Sequence, residues 1–451
     1  MLEKESLEIL RQALEKLDAG FVSLPPSSSH APAVERIAEV LAVTAERLQD
    51  NYPYFHPLYA GQMLKPPHPV ARLAYALAQW INPNNHALDG GRASSAMEIE
   101  TVSELARMFG WNSHLGHLTG GGTMANLEAL WVAGQLAPGK TILASEQAHY
   151  THKRISGVLQ LKCEAIPCDV RARMDIGALQ KRIGQGGVGT VVATMGTTAT
   201  GSVDPLEEIL ELRAKHGFRV HCDAAYGGYF GLAGNLAEET RRAFDRLRDA
   251  DSIVIDPHKH GLQPYGCGCV LFRDPAVARL YKHDSPATYF SSKELHLGEI
   301  SLECSRPGAA AVALWATQKL LPLESGGEFA KGLERCREAA LDFHQRVVRD
   351  ARFVAAFMPQ LDIVVFAPRA GSVSESSALS RKIFEAAAKR NLHVAVAELP
   401  VEFFEANLRG MKTDRTTLTC LRSVLMKPEH RDWLGRIWEI LLGSTEEVLH
   451  S

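Results

Sequence analysis

The chain has 451 residues, 46% of them hydrophobic and 22% charged, with a net charge of −3. That length and composition suit a globular protein of two closely joined domains with ample core, and the near-neutral balance gives no reason to expect nucleic acid or an anionic membrane as a partner. No apolar run approaches the roughly 20 residues needed to span a bilayer, and eight cysteines without a CxxC pair argue against a disulfide framework.

The first twenty residues are too charged for the apolar segment of a signal peptide. Their Leu7, Leu10, Leu14 and Leu17 form the stripe of an amphipathic helix ending at Gly20. The expected setting is the cytoplasm. A second helical pattern covers 34–48, and 51–63 is aromatic and proline-rich, too irregular for either period. Helical spacing returns over 94–110 through Met97, Val102, Leu105 and Met108.

Between 118 and 272 short apolar runs alternate with helical stretches. Candidate strands are 141–143, 163–166, 190–194, 219–222, 252–255 and 269–272, with helices such as 174–183 and 205–216, where Pro205 suits a first turn. This pattern predicts a mostly parallel sheet covered by helices, whose ligands bind beyond the carboxyl ends of the strands. An alanine-rich helix over 309–321 follows, then strands at 361–365 and 418–425 and helices at 380–390 and 432–442. The expected organisation is an N-terminal helical segment (1–85) that packs on a dimer partner, a large α/β domain (86–308) and a small C-terminal α+β domain (309–451).

Residues with chemical potential fall just after the strands. Gly120, Gly121, Gly122 and Thr123 open a helix, where bare backbone N–H groups and a hydroxyl suit an anion; the run is neither GxGxxG nor a P-loop. His149 follows the strand at 141–143 and could stack on a flat ring or serve the structure. Thr197 and Thr198 follow the strand at 190–194, and Asp223 ends another, where a buried carboxylate is costly unless paired. The run DPHKHG over 256–261 places Lys259 between two apolar strands, a position from which an amine can do Schiff-base chemistry. His258, His260, Cys267 and Cys269 raise the question of a metal; CxC in an extended segment puts both sulfurs on one face, unlike the CxxC turns of zinc sites, and no metal is expected.

The ordered set GGGTMAN, SEQAHY, TMGTTATGSVDP, VHCDAAYGG, DPHKHG and ECSRPG resembles the group II pyridoxal-5′-phosphate (PLP)-dependent amino acid decarboxylases, of the aspartate aminotransferase fold type I. The resemblance runs from about Phe55 to the C-terminus. It implies that Lys259 holds PLP as a Schiff base, that Asp223 keeps the pyridine nitrogen protonated, that His149 stacks on the ring and that Ala225 touches its other face. Gly122, Thr123 and His258 would hold the phosphate with Asp256 nearby, and Thr197 or Thr198 would lie close to the ring or the substrate carboxylate. It also implies a homodimer with its site at the subunit interface, so that Arg306 and the segment 55–63 come from or face the partner. The implied reaction is release of CO2 from an L-amino acid. A short stretch before ECSRPG leaves Tyr289, or alternatively His149, as the acid that reprotonates Cα, and leaves aminotransferase, carbon–carbon lyase and aldehyde-synthase chemistry as alternatives. Gln62 could donate to an acidic substrate side chain, with Phe55 beside it.

Overall fold

The structure, a computed structural model, describes residues 4–25, 33–282 and 296–450. Four helices come first: α1 (Lys4–Ala19), α2 (Val34–Leu48), α3 (Pro69–Gln79) and α4 (Leu88–Met108). The large sheet and its helices follow in the order β1 (Leu115–Thr119), α5 (Gly122–Leu136), β2 (Thr141–Ser145), α6 (Thr151–Val158), β3 (Cys163–Ile166), α7 (Ile176–Ile183), β4 (Val188–Thr194), α8 (Leu206–His216), β5 (Arg219–Asp223), α9 (Glu238–Asp245), β6 (Ser252–Ile255) and β7 (Gly268–Phe272). After α10 (Ala278–Tyr281), α11 (Gly308–Leu320) and α12 (Glu328–Arg349) come β8 (Phe353–Ala355), β9 (Ile363–Pro368), α13 (Val373–Lys389), β10 (Ala395–Pro400), β11 (Thr417–Val424) and α14 (His430–Leu449).

Seven strands form one sheet in the order β1-β7-β6-β5-β4-β2-β3. The pairs from β3 to β6 are parallel, and β7 runs antiparallel to both β6 and β1. Chain order reverses between β2 and β4, and a reversal of this kind opens a crevice at the carboxyl ends of the strands. The predicted strands fall on β2 to β7. β1 was not anticipated, because a run as short as Leu115–Thr119, interrupted by Gly116 and His117, carries neither a strand's alternation nor a long apolar signal. Local chemistry sets the helix ends: Asp175 accepts from the backbone N–H of Ala178 at 2.6 Å at the start of α7, and Gly217, at φ +73°, ends α8.

The second sheet is antiparallel, in the order β10-β11-β9-β8. Its period-two alternation divides its side chains between two cores. Ile363, Val365, Ala367, Leu418, Cys420 and Val424 join the core of the large sheet's helices, whereas Val364, Phe366 and Leu421 pack with α12, α13 and α14. The two sheets therefore share one continuous core on one side. α11 packs on α3 and α4.

Helices α1 and α2 bury no residue, although Leu7, Ile9, Val34, Ile37, Val40, Leu41, Val43 and Leu48 are large, apolar and exposed. Among the described residues no helix is long and apolar enough to cross a membrane.

Candidate active site

Five strand ends converge on a cavity of about 620 Å³. From β1 the chain turns through Gly120 and Gly121 into α5. Gly121 sits at φ +149°, which disfavours any residue with a side chain, and no side chain caps the helix. A Cβ on Gly122 would lie 2.6 Å from Asp256 Oδ2, so only glycine lets the start of α5 approach β6 this closely. The first turn of α5 thus presents uncapped backbone N–H groups and the Thr123 hydroxyl to the cavity, an arrangement that suits a phosphate.

β6 ends at Ile255 and delivers Asp256, His258 and Lys259 to the same cavity. Lys259 Nζ lies 3.1 Å from Asp256 Oδ2, an ion-pair partner that sequence reasoning did not assign. Asp256 is buried, and its other oxygen, Oδ1, has no hydrogen-bond partner among the described residues. His258 Nδ1 lies 2.8 Å from the carbonyl oxygen of Cys267 and therefore donates to it, which fixes the ring. Burial lowers the His258 pKa, with the Asp256 charge opposing. Cys267 and Cys269 are buried, and burial pushes both thiols up, away from the thiolate form that binds metals. His260 points away from the cavity: its Nε2 is 3.2 Å from Asp362 Oδ2, while Tyr226 donates to Asp362 Oδ1 at 2.6 Å.

Asp223, at the end of β5, is 5% exposed and sits in a network absent from the sequence reading. His152 Nε2 is 2.8 Å from Asp223 Oδ2, Asn126 Nδ2 donates to the same oxygen at 3.4 Å, and the Ala225 N–H donates to Oδ1 at 3.2 Å. Burial by itself would raise the Asp223 pKa; the His152 hydrogen bond and charge, with Lys259 behind them, outweigh it and hold the carboxyl well below the usual range. Burial also drives His221 down to about 3, so its ring is neutral. Its Nε2 donates to Asn126 Oδ1 at 2.8 Å and its Nδ1 accepts from Ser252 at 2.9 Å, an arrangement that turns the Asn126 amide towards Asp223. One signal for Asn126 was available: it is a polar residue one turn into a mostly apolar helix. His152, three residues beyond His149, carried none.

His149 lines the cavity, with Nδ1 2.8 Å from Thr151 Oγ1, and burial lowers its pKa. Ala225 and Thr198 line it too. Thr197 does not: its hydroxyl is buried in a turn with Thr200 at 2.8 Å and accepts from the Ser202 N–H at 3.1 Å. Of the two threonines, geometry brings Thr198 to the site. Arg422, on the face of β11 turned to the large domain, donates to the carbonyls of Thr198, Ala199 and Gly61 at 2.7–3.0 Å and holds this turn in place.

Three expected substrate contacts do not line the cavity within one chain. Phe55 is 53% exposed and Gln62 is exposed. Arg306 is 5% exposed: its guanidinium pairs with Glu98 at 2.5 Å and donates to the Leu118 carbonyl at 2.6 Å, while its Nε and Nη2 have no hydrogen-bond partner among the described residues. Tyr289 lies outside the described residues. Glu303, which was not anticipated, reaches the cavity and accepts from the Gly120 N–H at 2.9 Å.

The arrangement fits PLP in each of its parts. It provides an amine beside a carboxylate, an anion cradle at a helix start, a flat histidine ring, and a buried ionised carboxylate that needs a cation. Fold and site together define a PLP-dependent enzyme of fold type I. The sequence model of the pyridoxal-dependent decarboxylase conserved domain matches residues 131–369, more than half of the chain. The chain belongs to the pyridoxal-dependent decarboxylase family. It is 29% identical to the L-tyrosine decarboxylase of Enterococcus faecium over 394 residues, covering 65% of this chain and 64% of that protein. It is also 29% identical to the probable L-tyrosine/L-aspartate decarboxylase of Methanothermobacter thermautotrophicus over 314 residues, covering 68% of this chain and 82% of that one. In fold it is similar to mouse CSAD (TM-score 0.76, 19% identity, 97% of this chain and 99% of that one) and to Oryza sativa TDC with PLP and tryptamine (TM-score 0.77, 18% identity, 99% of each).

Proposed function

We propose that the protein removes the carboxylate of an L-amino acid as CO2, with PLP held by Lys259. The observation that carries this reading is the meeting of Lys259, Asp223, His149 and the α5 cradle in one cavity. Bound there, PLP supplies the electron sink that makes the bond between Cα and the carboxylate breakable. The protein's part is positioning and electrostatics. Lys259 presents the amine that would hold the cofactor. Asp223, kept ionised by His152, offers a negative charge to a ring nitrogen. Gly122, Thr123 and His258 would hold the phosphate, and Ala225 and His149 would flank the ring. Thr198 stands where a substrate carboxylate can be oriented, and His149 is the described candidate for returning a proton to Cα.

We read the molecule as a homodimer. The unburied apolar faces of α1 and α2 support this, since isolated amphipathic helices of that length are marginal without a partner. Gln62 and Phe55 would then act on the site of the partner, and an acidic side chain is the substrate feature that Gln62 can recognise. We take the chain as segments 1–85, 86–308 and 309–451, with α11 as the connection between the last two. All eight cysteines are free, which supports a reducing, cytoplasmic setting.

The test is release of CO2 from the twenty amino acids, cysteine sulfinate and 2,4-diaminobutyrate by PLP-loaded protein, with amine appearing in equal amount. Stoichiometric keto acid, ammonia or peroxide would refute decarboxylation, and a preference for basic or aromatic substrates would refute the role of Gln62.

A further inference from the structure

A second cavity, of about 430 Å³, lies behind the segment that carries Lys259, between residues 65–69, the start of α12 and residues 427–429. Its floor holds two lysine amines, Lys65 and Lys427. Lys427 is 3% exposed and donates to the Tyr59 carbonyl at 2.6 Å; Lys65, partly buried, donates to the Met426 carbonyl at 3.3 Å. Neither belongs to an ion pair among the described residues, although both line a cavity and Lys427 is buried.

Lys427 is held by the Tyr59 carbonyl and lies 5.3 Å over the Tyr59 ring, Lys65 feels the buried Asp362 only through space, and neither has a carboxylate within ion-pair distance among the described residues, a charge balance that an anion sharing the space would improve. Desolvation lowers both lysines, and the Lys65 charge adds to the lowering of Lys427. The carboxylates nearest in the lining, Glu328 and Glu429, sit exposed at the mouth, where Lys331 is exposed beside them and Arg335 pairs with Asp432 at 2.7 Å. The walls are apolar, from Leu262, Phe329 and Leu333.

We infer that this cavity is an anion-binding site separate from the cofactor cavity, and that it takes an organic carboxylate with an apolar body. The carboxylate lies on the Lys65–Lys427 floor, and the hydrocarbon lies on Leu262, Phe329 and Leu333. The geometry leaves a neutral molecule without a partner for the two cations and a naked inorganic anion without a use for the walls.

The experiment is calorimetric titration of the PLP-loaded protein with cyclohexanecarboxylate, with cyclohexanemethanol as the neutral control, while the cofactor absorption band is recorded. The carboxylate is expected to bind without moving the band, and the alcohol is not. Lys65→Gln and Lys427→Met should each weaken binding about tenfold or more, and Lys427→Arg should largely retain it. Lys65→Gln changes a partly exposed side chain, so the test survives even if Lys427→Met fails to fold. No binding by the wild type, unchanged binding by Lys65→Gln, equal binding of the alcohol, or binding that displaces the cofactor band overturns the inference. Loss of CO2 release with carboxylate binding intact would instead count against the decarboxylase reading alone.

Discussion

Two lysines stand on either side of the segment that leaves β6, and they are neutralised in opposite ways. Lys259 faces the cofactor cavity with Asp256 3.1 Å away, whereas Lys427 faces the second cavity with the Tyr59 carbonyl and ring as partners and no carboxylate in ion-pair range among the described residues. The first cavity is lined by matched charges of both signs, as a cofactor with a cationic ring nitrogen and an anionic phosphate requires. The floor of the second carries one sign only. A cavity's preference thus follows from which counter-charges the protein supplies and which it leaves to the ligand.

The comparison breaks most sharply at Lys259. Lys259→Ala should abolish the visible Schiff-base band and lower decarboxylation on the order of 10³-fold or more, with carboxylate binding at the second cavity unchanged. Persistence of the band would remove the cofactor assignment. Asp223→Asn, which deletes the charge offered to the ring nitrogen, should lower kcat by roughly 10²–10³-fold while the cofactor still binds. His152→Leu tests whether Asp223 depends on its neighbour. Losing a buried charge-assisted hydrogen bond should lower kcat about 10- to 100-fold with little change in KM, and His152→Gln should restore part of it. Equal losses in both variants would mean that His152 acts only through packing.

Stability against pH separates the two lysines further. Lys427 is held at about 7, below the 10.5 of an unperturbed lysine, so between these values the unfolded chain carries a proton that the folded one lacks. Stability from this group is therefore present above 10.5 and is lost as pH falls towards 7, by up to about 1.4 kcal/mol per pH unit. Urea unfolding at pH 7 and 9 should show wild type gaining on Lys427→Met by this order; parallel curves would show that Lys427 is solvated. The smallest effect lies on the acid side. His221 and His430 are both held at about 3 by burial, so each loses its stabilising contribution as pH falls below 6.5. Asp204, raised by burial to about 6, works the other way below pH 6. These three groups together should contribute a loss near that of one histidine between pH 6 and 5, about 1.4 kcal/mol, and His221→Gln should reduce the total loss.

Much of the site was legible along the chain because strand ends write themselves as apolar runs that stop at a polar residue. Gly122, His149, Thr198, Asp223, Ala225, Asp256, His258 and Lys259 were all singled out on that basis or through the family's motifs, and all line one cavity. Thr197 could not be told from Thr198, because a turn decides which neighbour faces the ligand. Arg306 looked available until Glu98, some 200 residues away in sequence, turned out to be its partner. β1 escaped notice because Gly116 interrupts it, and α3 went unmarked although Pro69 in its first turn is a helix-start signal.

By itself the sequence determined the alternation of strands and helices, the glycine-rich helix start, the lysine after β6 and the acidic strand end, since each depends on residues a few positions apart. The tertiary structure alone decided which charges meet: His152 with Asp223, Asp256 with Lys259, Arg306 with Glu98, and Lys65 with Lys427 across a cavity. Side-chain periodicity says which face a residue occupies, but a pair's energy depends on distance and burial, and both are set only when distant segments pack.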